Sequence, residues 1–267
     1  MTSLTFRLEM RRSRVMAFWL VAIGAAYSGI IGTVYPIIRD NAAAIEDQME
    51  LFPQELMAAF GMNGSLANPG VFFNSYVGAS LWPILAAIGA IMLASRPVTA
   101  DVERGWTDLA LGTPLTRVRA LAAAIIAQAL VLALVAATTV GSVLAVGLLV
   151  GAGFDLARFT AAALILWLFA CAIAGATSLV GALTLSRGAA AGVVAGVLIA
   201  MYLLNVVAQI QPDLAWIANL GVFSYLATAE LIDEGVVPWT SVAVFGGAAV
   251  IGWTASLVVF ARRDLLA

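Results

Sequence analysis

RPVTADVERGWTDLALGTPLTRVR, residues 96–119, carries four arginines and three acids. The chain on either side is free of charge. Neither Val71–Ser95 before it nor Ala120–Gly151 after it contains Asp, Glu, Lys, Arg or His. Each flank exceeds the ~20 apolar residues a helix needs to cross the hydrocarbon core of a bilayer. A charged stretch between two such runs is a loop outside the membrane, and arginine in short loops marks the cytoplasmic face.

Working outward, four more charge-free apolar runs appear: Met16–Ile38, Phe159–Ser186, Gly188–Ile210 and Val236–Ala261. The third run in chain order, Ala120–Gly151, is over-long and is expected to start as cytoplasmic helix or to tilt. Of the 13 arginines, 11 fall on one side of the runs, at 7, 11, 12, 14, 96, 104, 117, 119, 187, 262 and 263, and only Arg39 and Arg158 fall on the other. The inner segments carry a net charge of +6 and the outer ones −8, which the overall −2 hides. The pattern predicts an all-α integral membrane protein: one domain over residues 1–267, six spans, both termini cytoplasmic. The first run is too long for the apolar core of a signal peptide and lacks a convincing cleavage site, so it reads as an anchor that stays.

Composition removes several function classes. The chain is 63% hydrophobic and 10% charged, where a soluble domain carries about 25% charged residues. It has no Lys and no His. A Walker A phosphate loop requires Lys, so this chain has no such ATP site. Without His there is no Ser–His dyad, no HExxH zinc site and no His haem ligand. Cys171, the single cysteine, reads as a small buried apolar residue. No metal, cofactor or catalytic residue is expected, and no nucleic-acid partner, which would need a clustered basic surface.

The spans hold only weak polar groups, among them Asn74, Gln128, Thr138, Thr139, Ser178 and Asn205, read as helix-to-helix hydrogen bonding. Gly188, Gly192 and Gly196 form a double GxxxG on the fifth span, and Ala172 and Ala176 repeat the spacing on the fourth. Internal packing is the expected role, ahead of a subunit interface. Phe72, Phe73, Tyr76, Trp82 and Tyr202 are the aromatics that could line a translocation path, though core or lipid-facing packing is the favoured reading.

Outside the spans, residues 2–15 place Leu4 and Leu8 on one helical face and Arg7, Arg11 and Arg14 on another, which suits an interfacial helix meeting anionic lipid headgroups. The alternative is an ordinary positive-inside flank. In the acidic outer segment 39–70, Leu51, Leu56, Met57 and Phe60 suggest a short surface helix. Outer residues 211–235 include a charge-free stretch of sixteen, Leu214–Ala229, about 24 Å as helix and short for a span. It reads as a re-entrant segment or a pair of surface helices, with Trp216, Tyr225 and Trp239 at headgroup level.

The inner loop reads as a docking helix, since a mere connection needs only a few residues. Thr99 is its cap, and Asp101 and Glu103 sit in a first turn where the helix dipole favours acids. Arg104 and Asp108 pair at i,i+4, and Leu109 and Leu111 add apolar contact.

This order of elements resembles the membrane subunit of a type-2 ATP-binding-cassette transporter, a class used mainly for export. In ADVERGWTDLALGTPLTRVRAL, Glu103, Gly105, Thr107, Leu109, Leu111, Pro114 and Arg117 resemble the family's loose pattern of an acid, a glycine, leucines, a proline and a base. LFPQELMAAFGMNG at 51–64 and FARRDLLA at 260–267 are also similar to the family, whereas Trp106 stands where many members carry a small or hydroxyl residue.

The resemblance implies a permease of a bacterial or archaeal plasma membrane. It implies a second permease copy or a related chain, and a separate ATPase that binds ATP and Mg. It also implies a coupling helix over Asp101, Glu103, Arg104, Gly105, Thr107, Asp108, Leu109, Leu111, Pro114 and Arg117 that takes up the motion of that ATPase. A charge-free interior suits hydrophobic or amphiphilic cargo such as a drug, an antibiotic or a lipid. The residues alone leave open a secondary carrier or channel, which would need intramembrane ionisable groups or inverted repeats. A non-transporting accessory membrane protein also remains open, as does a membrane enzyme.

Overall fold

The computed structural model describes residues 2–49, 64–96 and 117–262. Among them the elements are helical throughout. They are α1 (Thr2–Asp40), α2 (Ala42–Met49), α3 (Pro69–Ser95), α4 (Arg117–Leu149), α5 (Leu156–Thr184), α6 (Arg187–Ile210), α7 (Thr228–Glu234) and α8 (Trp239–Arg262), with 3-10 turns at Pro212–Leu220 and Phe223–Tyr225. Six of these, α1, α3, α4, α5, α6 and α8, are long and apolar enough to cross a membrane. They correspond in order to the six apolar runs. Their ends follow local chemistry. Pro69 opens α3, where its missing N–H costs no helical bond. Asp155 caps α5 by accepting the Arg158 N–H at 3.0 Å. Leu185, at φ 52°, ends α5, and Ser186 then caps α6.

α1 differs from expectation. The basic segment 2–15 is not a separate surface element, because one helix runs unbroken through to Asp40. At 39 residues it is about 58 Å long, against a hydrocarbon core of about 30 Å. Arg7, Arg11 and Arg14 are exposed on its first turns. The surface helix expected over 51–60 lies outside the described residues.

Two parallel helix pairs make the frame. α1 lies along α4, where Gly24 sits against the Thr139 hydroxyl and Gly32 comes up to the Val143 carbonyl. α5 lies along α8 and crosses it backbone to backbone: a Cβ on Gly252 would stand 2.5 Å from the Gly175 carbonyl carbon, and one on Gly175 would stand 2.9 Å from the Ala249 oxygen. Small residues at such a crossing let dispersion contacts form between main chains. α5 is the centre, with 61% of its most apolar stretch buried, whereas α6 is peripheral at 11%.

These contacts correct the expected role of the GxxxG repeat. A Cβ on Gly188, Gly192 or Gly196 would meet nothing within 4 Å, so that face of α6 packs against no other part of the described chain. Small residues that do make close approaches include Gly24 and Gly32 on α1, Gly89 on α3, Gly175 on α5 and Gly252 on α8.

The segment after α6 is re-entrant. Pro212–Leu220 folds back along α6, bringing Gly221 to the Met201 carbonyl. Phe223 then reaches Phe169 at 5.9 Å and Tyr202 at 5.5 Å between ring centres. Phe169 is about 20 Å along α5 from its outer end, so this is depth within the bundle rather than surface. The chain bends by 87° and returns as α7 to the outer ends of α3 and α5.

Candidate functional site

Two features stand out where α3, α6 and the re-entrant segment meet. The first is a groove of about 710 Å³ between α3 and α6. Pro83, Ile84 and Ile88 form one wall, Ala195, Ile199 and Tyr202 the other, and Ser80 adds a hydroxyl group near one end. No ionisable side chain other than Tyr202 lines it. Its size falls within the range of small-molecule pockets, and its lining is suited to apolar surface.

The second is a polar clasp at the outer end. The Asp233 carboxylate accepts the N–H of Gly70 at 2.6 Å and of Val71 at 3.1 Å. It thereby satisfies donors that the start of α3 leaves free, and the helix dipole favours its charge there. Arg158 at the start of α5 donates from Nη1 to the carbonyls of Ile232 (2.9 Å) and Asp233 (2.7 Å), at the end of α7. Thr228 Oγ1 donates to Asn74 Oδ1 at 2.9 Å. Gly70 and Gly78 admit α7 this closely because they lack a Cβ, which would stand 2.5 Å from the Ala229 oxygen and 2.8 Å from Thr228 Oγ1. An aromatic cluster lies beside the clasp: Tyr35 packs on Phe72 and Phe154, both at 4.9 Å, and Tyr35 donates its hydroxyl to the Ala67 carbonyl at 2.7 Å.

A charge-free groove in a six-span bundle, with an arginine-rich inner loop, narrows the possibilities. The sequence model of the ABC-2 family transporter proteins matches residues 11–265, nearly the whole chain. The chain belongs to the ABC-2 transporter family. It is thus a multi-pass membrane protein and a transport component, and ABC-2 permeases work with a separate ATPase subunit. No curated protein sequence matches it.

Most of the five aromatics follow the core reading rather than the path one. Phe72, Phe73 and Trp82 are fully buried in the packed interior, so they are core rather than path. Phe73 packs on Phe159, and Trp82 donates its indole N–H to the Leu166 carbonyl at 3.0 Å. Tyr76 packs on Phe72 at 5.0 Å and is half-buried. Of the five, only Tyr202 lines the groove. Asp101, Glu103, Arg104, Gly105, Thr107, Asp108, Leu109, Leu111 and Pro114 lie outside the described residues, and Arg117 opens α4. Beside that loop, Arg96 Nη1 donates to the Arg12 carbonyl at 3.1 Å, tying the end of α3 to the basic start of α1.

Sequence reasoning missed the clasp. Its signal was present: Arg158 is one of only two outer arginines among ten outer acids. Arg39, the other, pairs with its neighbour Asp40 at 3.0 Å. Pro83 inside a span was the corresponding signal for the groove wall.

Proposed function

We propose that this ABC-2 chain is the permease of an exporter that moves a hydrophobic or amphiphilic substrate, of the drug, antibiotic or lipid kind, outward across a bacterial or archaeal plasma membrane. The observation that carries this reading is the apolar groove between α3 and α6. A second permease copy facing it would close the groove into a path, with the open Gly188, Gly192 and Gly196 face of α6 at the seam. The ATPase partner binds and hydrolyses ATP with Mg. Its closure pushes on the inner loop through Glu103, Arg104 and Asp108, with Leu109 and Leu111 as apolar contacts, and Asp101, Gly105, Thr107, Pro114 and Arg117 shape that helix. Because the loop joins α3 to α4, the push arrives at the groove wall. Arg7, Arg11 and Arg14 hold the inner end of α1 at anionic lipid.

The test begins with purification in mild detergent from the native membrane, expected to bring down a Walker-containing ATPase in stoichiometric amount. That complex, in proteoliposomes, is expected to drive ATP-dependent movement of an amphiphilic fluorescent dye toward the side opposite the ATPase. Replacing Glu103 and Arg104 by Ala should abolish the transport while leaving insertion intact. A chain that purifies alone under conditions preserving other such complexes would overturn the reading, and dye moving the other way would overturn export.

A further inference from the structure

α3 changes its winding below the clasp. Asn74–Leu81 is a π-helix, and Trp82 N–H reaches back five residues to the Val77 carbonyl. Such turns are rare and concentrate at functional positions. The cause is legible in the residues. In a regular α-helix a proline ring collides with the carbonyl four residues back. For Pro83 that is Ala79, inside the π segment, and a wider turn relieves the collision. Two hydroxyls support carbonyls in the widened backbone: Ser80 donates to the Ser75 carbonyl, and Tyr27 of α1 donates to the Tyr76 carbonyl at 3.1 Å.

The segment is held at both ends. Above it, Asp233 fixes Gly70 and Val71, and Thr228 bonds Asn74. Below it, Trp82 is fully buried and bonds the Leu166 carbonyl of α5. Between the two clamps lie Ala79 and Ser80, which form the end of the α3 wall of the groove.

We propose that the π segment is a switch inside α3. The wide turn migrates by one residue between the two clamps, turning Ala79 and Ser80 into or out of the groove while the helix above and below stays in place. A one-residue shift corresponds to a rotation of about 100°. Ala79 and Ser80, which line the groove in the structure, are thereby withdrawn from it in the other state. This goes beyond the transport reading and is observable without an ATPase.

The experiment uses the full chain in lipid nanodiscs, with Cys171→Ala as background and labelled chain diluted in unlabelled chain. Spin labels are placed at A79C and, as reference, at I251C on the outward side of α8, where Ile251 is 68% exposed. A second pair joins I84C, below the lower clamp, to the same reference. The expected result is two distance populations for the first pair, separated by about 8 Å, the chord of a 100° turn at a side-chain radius of about 5 Å. The second pair is expected to give one population. Adding Ser80→Ala, which removes a support of the π state, should change the ratio of the two populations at least twofold. A single population for the first pair, as narrow as the second, overturns the switch. Two populations in both pairs also overturn it, because the whole of α3 would then be moving.

Discussion

Asp233 and Arg158 act on backbone rather than on each other's side chains, and they meet at the end of α7. Removing a carboxylate that caps a helix start costs about 0.5–2 kcal/mol. Asp233→Ala is therefore expected to lower the melting temperature of the purified chain by several degrees, at about 2–4 °C per kcal/mol for a chain of this order of size. Arg158→Ala leaves the Ile232 and Asp233 carbonyls without their charged donor and should have an effect of similar size. The two changes touch the same end of α7, so the double variant should fall short of, or exceed, the sum of the singles by at least about 0.5 kcal/mol. Asp213→Ala, on the exposed re-entrant turn, is the control and should leave melting unchanged. Equal effects at 213 and 233 would refute the capping role.

At the scale of elements, the contrast between glycines is the sharpest test. Gly252→Ala forces a Cβ against the main chain of Gly175, and overpacking of this kind costs about 1–3 kcal/mol. Gly192→Ala meets open space in the single chain and in the dissociated monomer should be neutral or gain up to about 1 kcal/mol in helix propensity. Thermal unfolding in detergent, read together with monodisperse yield, should separate the two. If Gly192→Ala destabilises as much as Gly252→Ala, the assignment of crossings is wrong. The same pair shows what the sequence could and could not say. Span positions were legible because twenty apolar residues without charge have one physical reading in lipid, and the six helices follow the six runs. The packing faces were not. A run of Ala and Gly offers close approach on every side, and only the partner helix selects one. Gly252 stands in a weaker four-residue series with Ala248 and Ser256 and Gly175 in none, whereas the more regular Gly188, Gly192 and Gly196 face outward. The aromatics could not be divided between core and path for a related reason. Phe72, Phe73 and Trp82 are as hydrophobic as a pore-lining residue would be, and the decision between core and groove rests on α5 and α7, far away in sequence.

For the whole molecule, the arginine distribution carries the orientation. With Cys171→Ala as background, a cysteine at Gly151, in the turn between α4 and α5, should react with a membrane-impermeant thiol reagent in intact cells. One at Ser186, in the turn between α5 and α6, should react only after permeabilisation. The reverse pattern would invert the topology and, with it, the side assigned to the ATPase. The unequal burial of the spans has a companion expectation. α6 is the least covered helix of the six, so G192C chains should form an intermolecular disulfide under mild oxidation. I251C chains, on the lipid-facing side of α8, should not. Both are measured by non-reducing electrophoresis.

The clasp also fixes an order of events during synthesis. Asp233 and the amide it caps, Gly70, are separated by 163 residues. At a translation rate of about 5–20 residues per second, the start of α3 waits roughly 8–33 seconds before its partner has even been made. By the end of that interval the first five spans have been made, with the outer end of α3 still uncapped. The outer face of this protein is therefore sealed last, by the segment that follows the fifth span, and a ribosome stalled before residue 233 leaves behind a chain whose outer end is still open.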